Sequence, residues 1–177
     1  MMLGCGYQFQ GSQNPLRDVG IDKIYVQQFR NRTYTPGIEH LFSSAMIKEI
    51  QKSRSFVLVN SESEADALVS GEITNSDAGM NSNKSLIVQR VGDSDRSVNV
   101  AADYTASVAC VVKLVDKNGR VVFSTSSSAS KLFPGAARTG SQGATVSLIN
   151  NSEQRLAVQF LASQMMASIY QRMIDAF

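Results

Sequence analysis

The sequence predicts an α/β (α+β) two-layer sandwich, in which a mostly antiparallel sheet of four to five strands carries two helices on one face, in the order β-α-β-β-β-β-α. Three observations lead there. Apolar residues recur at spacings of three and four over 38–50 and again over 158–173, the period of a helix with one buried face. The runs between them alternate apolar and polar residues, the period of a strand with one wet face. Within them "DKNGR" places Asn118-Gly119, the pair that a tight hairpin turn favours. Helices from both ends of the chain can then cover one face of the sheet.

"NPLRDVGID" is a Pro/Gly-punctuated approach to the first element. "KIYVQQF" reads as a strand with Ile24 and Val26 on one face and Tyr25 and Phe29 on the other. Thr35-Pro36 predicts a helix start, with the threonine as cap and the proline at the first helical position. Ile38, Leu41, Phe42, Ala45, Met46 and Ile50 form its apolar stripe, and Lys52 to Arg54 suit its end. "SFVLVN" is a short strand. "SESEAD" is a solvated acidic turn, and a strand follows from Ala67 to Thr74, in which Gly71 marks a bulge or a point of close packing. From Gly79 to Asn99 the chain turns polar apart from "LIVQRV", an extended arm or short edge strand. The hairpin of 102–116 and 120–130 places Tyr104, Ala106, Val108, Cys110, Val112 and Leu114 on one face, and Thr105, Ser107 and Lys113 on the other. A closing helix begins at Asn150, with Glu153 at capping-box spacing, and buries Val158, Leu161, Ala162, Met165, Ile169 and Met173.

A chain of 177 residues, 43% hydrophobic and 18% charged, builds one core. Its net charge of +2 gives no sign of a nucleic-acid binder, and no run approaches the roughly 20 apolar residues of a membrane-spanning helix. Of its two cysteines, Cys110 sits in a strand pattern as a small buried hydrophobe. Cys5 follows Met-Leu-Gly, and "MLGC" is similar to the cleavage box of bacterial lipoproteins, whose cysteine receives lipid. Only Met1 to Gly4 precede it, so a truncated, trimmed or misassigned leader is expected, the other reading being an ordinary exposed thiol.

Catalytic signatures are thin. His40, the single histidine, stands beside Glu39 early in a helix without a nucleophile motif, and no zinc spacing or phosphate-cradling glycine loop occurs. Glu62, Glu64 and Asp66 lack the ligand spacing of a calcium loop. The chain is expected to be no enzyme and to need no cofactor or metal. Between Gly79 and Gly143 eight basic residues face four acidic ones, a local +4. Arginine forks and lysine point charges there can pair with phosphates of an anionic glycolipid, and a scattered solubilising surface is the alternative.

"CGYQFQG", then "IDKIYVQQFRNRTYTPGIEHLFSSAMIKEI", then "VLVNSESEADALVSGEI" resemble the lipopolysaccharide-assembly lipoproteins of the LptE type. The shared features are the cysteine before Gly-Tyr-x-Phe, the strand ending in Phe-x-Asn, the Pro-Gly-Ile-Glu helix start and the Ala-Asp-x-x-Val-x-Gly strand. The resemblance implies a lipidated segment and linker over 1–20 and one domain over 21–177. It also implies acyl chains on Cys5 that hold the protein at the periplasmic face of a Gram-negative outer membrane, an LptD-type β-barrel in which the domain is a plug, and lipopolysaccharide as ligand. The residues expected to touch lipopolysaccharide, from local charge, are Arg90, Arg96, Arg120, Lys131 and Arg138. Two rival readings remain: a lipoprotein activator of cell-wall synthases, whose domain also opens with a strand, an F-x-N-x-T turn and a helix, and a periplasmic enzyme around His40.

Overall fold

The computed structural model of the chain describes Leu16 and residues 20–91, 94–134 and 143–177, with side chains described outside 82–102 and 143–150. Strands β1 (Lys23–Val26) and β2 (Arg30–Asn31) lead into helix α1 (Ile38–Ser53), which returns through β3 (Val57–Leu58) and a short 3₁₀ turn (Glu62–Glu64). Three long strands follow, β4 (Ala67–Val91), β5 (Ser94–Asp116) and β6 (Val121–Pro134), and helix α2 (Gly143–Asp175) closes the chain. The sheet order is β3-β1-β4-β5-β6, with β2 also paired to β4.

The two-layer α+β architecture is as expected, but the sheet is mixed. β1 runs parallel to β3 and to β4, and β2 runs parallel to β4. The reason is α1: a chain that leaves β1 and crosses back through a helix re-enters the sheet in the same direction. Only β4, β5 and β6 form the antiparallel meander. Two strands of two residues raise the count to six.

One face of this sheet makes the core. Ile24, Val26, Ala67, Val69, Ile73, Ala106, Val108, Cys110, Val112 and Leu114 are all buried beneath α1 and α2. The expected apolar face of β5 is therefore correct, as is the structural reading of the methionine-rich helix: Val158, Leu161, Ala162, Met165, Ile169 and Met173 are each at most 3% exposed. The helices meet where the Tyr170 hydroxyl donates to Ser53 Oγ and Phe56 stands edge-on to the Tyr170 ring.

Four local expectations need correction. Phe29 is buried together with Ile24 and Val26, because β1 stops at Val26 and the chain folds inward before β2. Thr35 does not cap α1; the helix starts at Ile38 behind Gly37, whose φ of +81° turns the chain, and the Thr35 hydroxyl accepts a bond from Ser76 instead. The strand read as ending at Thr74 continues to Val91. A bulge between Ile73 and Asn75 hands the covered face on to Ser76 and Ala78, which breaks the alternation without ending the strand. Likewise α2 begins at Gly143, so Asn150 and Glu153 lie inside it, no proline or second glycine interrupting 144–175.

Candidate functional site

The motif Phe29-x-Asn31-x-Thr33, with Pro36-Gly37-Ile38-Glu39, builds a corner in which each side chain has structural work. Asn31 donates from Nδ2 to the Thr35 carbonyl (2.8 Å) and to Glu39 Oε2 (3.0 Å), while its Oδ1 accepts from the Thr33 amide and hydroxyl (both 2.8 Å). Glu39 is held below the usual carboxylate range, chiefly by its own backbone amide, with the Asn31 amide adding to the effect. The Phe29 amide donates to Ser43 Oγ (2.9 Å), and that hydroxyl donates to the Glu39 carbonyl (2.7 Å). The Phe29 ring lies over Gly71, leaving no room for a Cβ there, and leans on Phe42 at 6.4 Å. Gly71 is thus the close-packing point rather than the bulge. These residues fix the β1–α1–β4 junction.

The acidic turn has a comparable role. Asp66 Oδ2 accepts from the amides of Lys23 (2.9 Å) and Asp22 (3.1 Å), and its carboxyl is drawn down, first by the Lys23 amide. The sequence predicts a solvated turn here, and the one signal of its bonding role is that aspartate commonly satisfies free amides. His40 lies exposed on the first turn of α1. Among the described residues no group of three or more His, Cys, Asp or Glu could hold a metal. Burial pushes the Cys110 thiol up to about 11, the behaviour of a core residue.

The surface that remains is the open sheet face. Ser124, Ser126, Ser128 and Ser130 of β6 are exposed beside Thr105 and Ser107 of β5 and Asn75 and Asp77 of β4. A shallow hollow of about 260 Å³ runs among Asn75, Ser107, Ala109, Ser128 and Ser130. A larger dent of about 740 Å³ opens where the chain passes from β1 to β2, lined by Gln27, Gln28, Arg30, Ser70, Glu72 and Lys113. The face is not wholly polar, since Tyr25, Leu68, Val115 and Val121 lie in one row across four strands at its far end. Single-strand patterns could not reveal that row, which exists only once the register is known.

Of the basic residues expected to act together, Arg90 and Arg96 share one hairpin tip, and Arg120 and Lys131 lie away from it. Arg90 is the register partner of Asp95 and Arg96 that of Gln89, next to the turn at the tip of the β4–β5 hairpin. This hairpin runs beyond the end of β6, where Pro134 pairs with Asp103, as a two-stranded arm. Arg120 stands at the other end of β5, roughly 65 Å of extended strand away. It is occupied there, with Nε 3.2 Å from Asp116 Oδ2 and its amide donating to Asp116 Oδ1. Lys131 lies between, its ammonium 3.4 Å from the Phe160 ring centroid. Arg138 and Cys5 lie outside the described residues. Among the described residues no helix is long and apolar enough to cross a membrane.

The profile of the LptE family, described as lipopolysaccharide-assembly, matches residues 21–173. Among solved structures, the rare lipoprotein B from Shewanella oneidensis superposes with a TM-score of 0.51 at 11% identity, covering 88% of this chain and 96% of that one. A point variant of the PelC dodecamer from Paraburkholderia phytofirmans gives 0.49 at 17% identity, over 84% of this chain and 82% of that one. A minor lipoprotein from Acinetobacter baumannii gives 0.45 at 11% identity, over 86% and 92%. At these identities the first likeness speaks to the fold alone. No curated protein matches the sequence.

Proposed function

The chain belongs to the LptE family of lipopolysaccharide-assembly lipoproteins, and from that premise we propose that it is a non-enzymatic outer-membrane lipoprotein, seated as a plug in an LptD-type β-barrel, that binds lipopolysaccharide on its way to the outer leaflet. The observation that carries the reading is the family match over 21–173, nearly the whole folded domain. The open face supports it physically. A plug meets a polar barrel lumen, and rows of short Ser, Thr and Asn side chains offer donors and acceptors without the entropy loss of long chains. Cys5 is the proposed anchor, since each buried methylene contributes about 0.8 kcal/mol and several acyl chains hold where one is marginal.

Within this reading the arm tip is the proposed lipopolysaccharide contact. Arg90 and Arg96 sit there within a few residues of each other, whereas Arg120 is paired at the opposite end of β5 and Lys131 lies partway along β6. Arg90→Glu with Arg96→Glu should weaken binding to purified lipopolysaccharide about tenfold or more at low salt, while Arg120→Glu should change it less than twofold. Equal losses in both variants, or no loss in either, would remove the arm tip as the contact.

A further inference from the structure

We propose that the outer edge of β6 is a pairing surface for a second copy of this chain, giving a two-fold dimer with one continuous sheet. β6 ends the sheet: its inner side pairs with β5 from Asp103 to Val115, and among the described residues nothing pairs with its outer side. Along 14 residues, alternate N–H and C=O groups point away from β5. Apart from water, what satisfies such a row is another extended strand.

Long edges are usually blunted by proline, bulges or charge. Here the one proline is the last residue, Pro134, the register shift lies at the very start opposite Leu114/Val115, and Lys131 is the one charge in the strand. Lys131 guards little, because its ammonium is drawn over the Phe160 ring of α2.

The two ends of the edge complement each other. Val121, at the start, is 51% exposed; Leu132, at the end, is 60% exposed, with Leu156 and Phe160 of α2 open beside it around a hollow of about 280 Å³. An antiparallel two-fold about the middle of β6 brings the start of one strand against the end of the other. On the open face Val121 of one copy then comes beside Leu132 of the other, and on the helix-covered face the half-buried Phe123 comes beside Phe160 and Leu156, while serine faces serine between them. The two Lys131 ammonium groups stay roughly 26 Å apart along the strand direction, beyond a Debye length of about 8 Å. An edge about 46 Å long, with the helix layer about 10 Å above the sheet, presents on the order of 460 Å² per copy, the size of a weak, concentration-dependent interface. The dimer is a state of the chain outside the barrel; it goes beyond the assembly role and does not depend on it.

The test is sedimentation velocity of the full chain under reducing conditions between about 1 and 100 μM, with hydrogen exchange of the β6 amides at both ends of that range. The expected result is the mass of two chains at the high end, and β6 amides exchanging at least tenfold more slowly there than in dilute solution. Ser126→Lys with Ser128→Lys, both exposed and therefore tolerated by the fold, should sediment as a monomer with an unchanged melting curve, while Ser126→Ala with Ser128→Ala should still dimerise. A monomer at 100 μM overturns the proposal. So does a dimer whose β6 amides exchange independently of concentration, and so do β6 amides already protected in a dilute monomer, which would mean that the chain covers its own edge.

Discussion

Gly71→Ala puts a methyl group where the Phe29 ring already lies, and the sign of its effect tests the packing of the motif corner. The backbone at Gly71 does not need positive φ, so without the ring a Gly→Ala change would stabilise by about 0.4–1 kcal/mol through the unfolded chain. With the ring in place there are two outcomes. Either β4 and Phe29 strain apart, costing about 1–3 kcal/mol as overpacking does, or the ring is expelled. Phe29 is only 2% exposed, so expulsion forfeits about 150 Å² of apolar burial, near 4 kcal/mol at 25 cal/mol per Å². The cheaper route wins, and Gly71→Ala should destabilise by about 2 kcal/mol. Phe29→Ala alone should cost about 3–5 kcal/mol. In that background the methyl enters the hole left by the ring, so Gly71→Ala becomes neutral or slightly stabilising, a coupling of about 2 kcal/mol. Urea denaturation followed by circular dichroism reads all four corners of the cycle. A Gly71→Ala protein as stable as the wild type while Phe29 is present would refute the close contact.

Three further outcomes follow from the same geometry. Asp66 is depressed in the folded chain by the Lys23 and Asp22 amides, so its contribution is fully present above the unfolded value of about 3.9 and is lost as pH falls through the lower folded value; Asp66→Asn should flatten the stability profile below about pH 4 and leave its shape above pH 5 unchanged. Asn31→Ala removes four hydrogen bonds and should cost about 2–3 kcal/mol, with faster amide exchange over 32–37, whereas a loss below 0.5 kcal/mol would mean that water replaces them without effect. Cys110, buried and with its thiol raised to about 11, should resist a thiol reagent at pH 8 in the native protein and react on unfolding; native labelling at an unfolded rate would contradict its place in the core.

The sequence made the periodic parts legible. The stripe of α1, the inner face of α2 and the alternating face of β5 were readable because one buried side imposes a period on the residues themselves. What escaped was set by contacts between distant segments. Phe29 lies on the face opposite to the one its spacing predicts, because its direction depends on the space above Gly71, 42 positions on, and on the Ser43 hydroxyl that takes its amide. The parallel pairing of β1 escaped because a crossover leaves no mark in either strand. β4 runs on past Thr74, where the alternation predicts its end, because a bulge inverts that alternation. Of the candidate site, the motif residues stand out in the sequence but their task does not, and charge along the chain does not show that Arg96 and Arg120 stand near opposite ends of β5.

The central claim is that this domain works inside an outer-membrane barrel. Purification of the tagged chain from its own membranes, in mild detergent and at native expression, tests that most directly. The account predicts stoichiometric recovery of a heat-modifiable β-barrel together with lipopolysaccharide, and a mass for the N-terminal peptide that includes acyl chains on Cys5. Recovery of a penicillin-binding protein in place of the barrel, or of an unacylated chain from the soluble fraction, would contradict it.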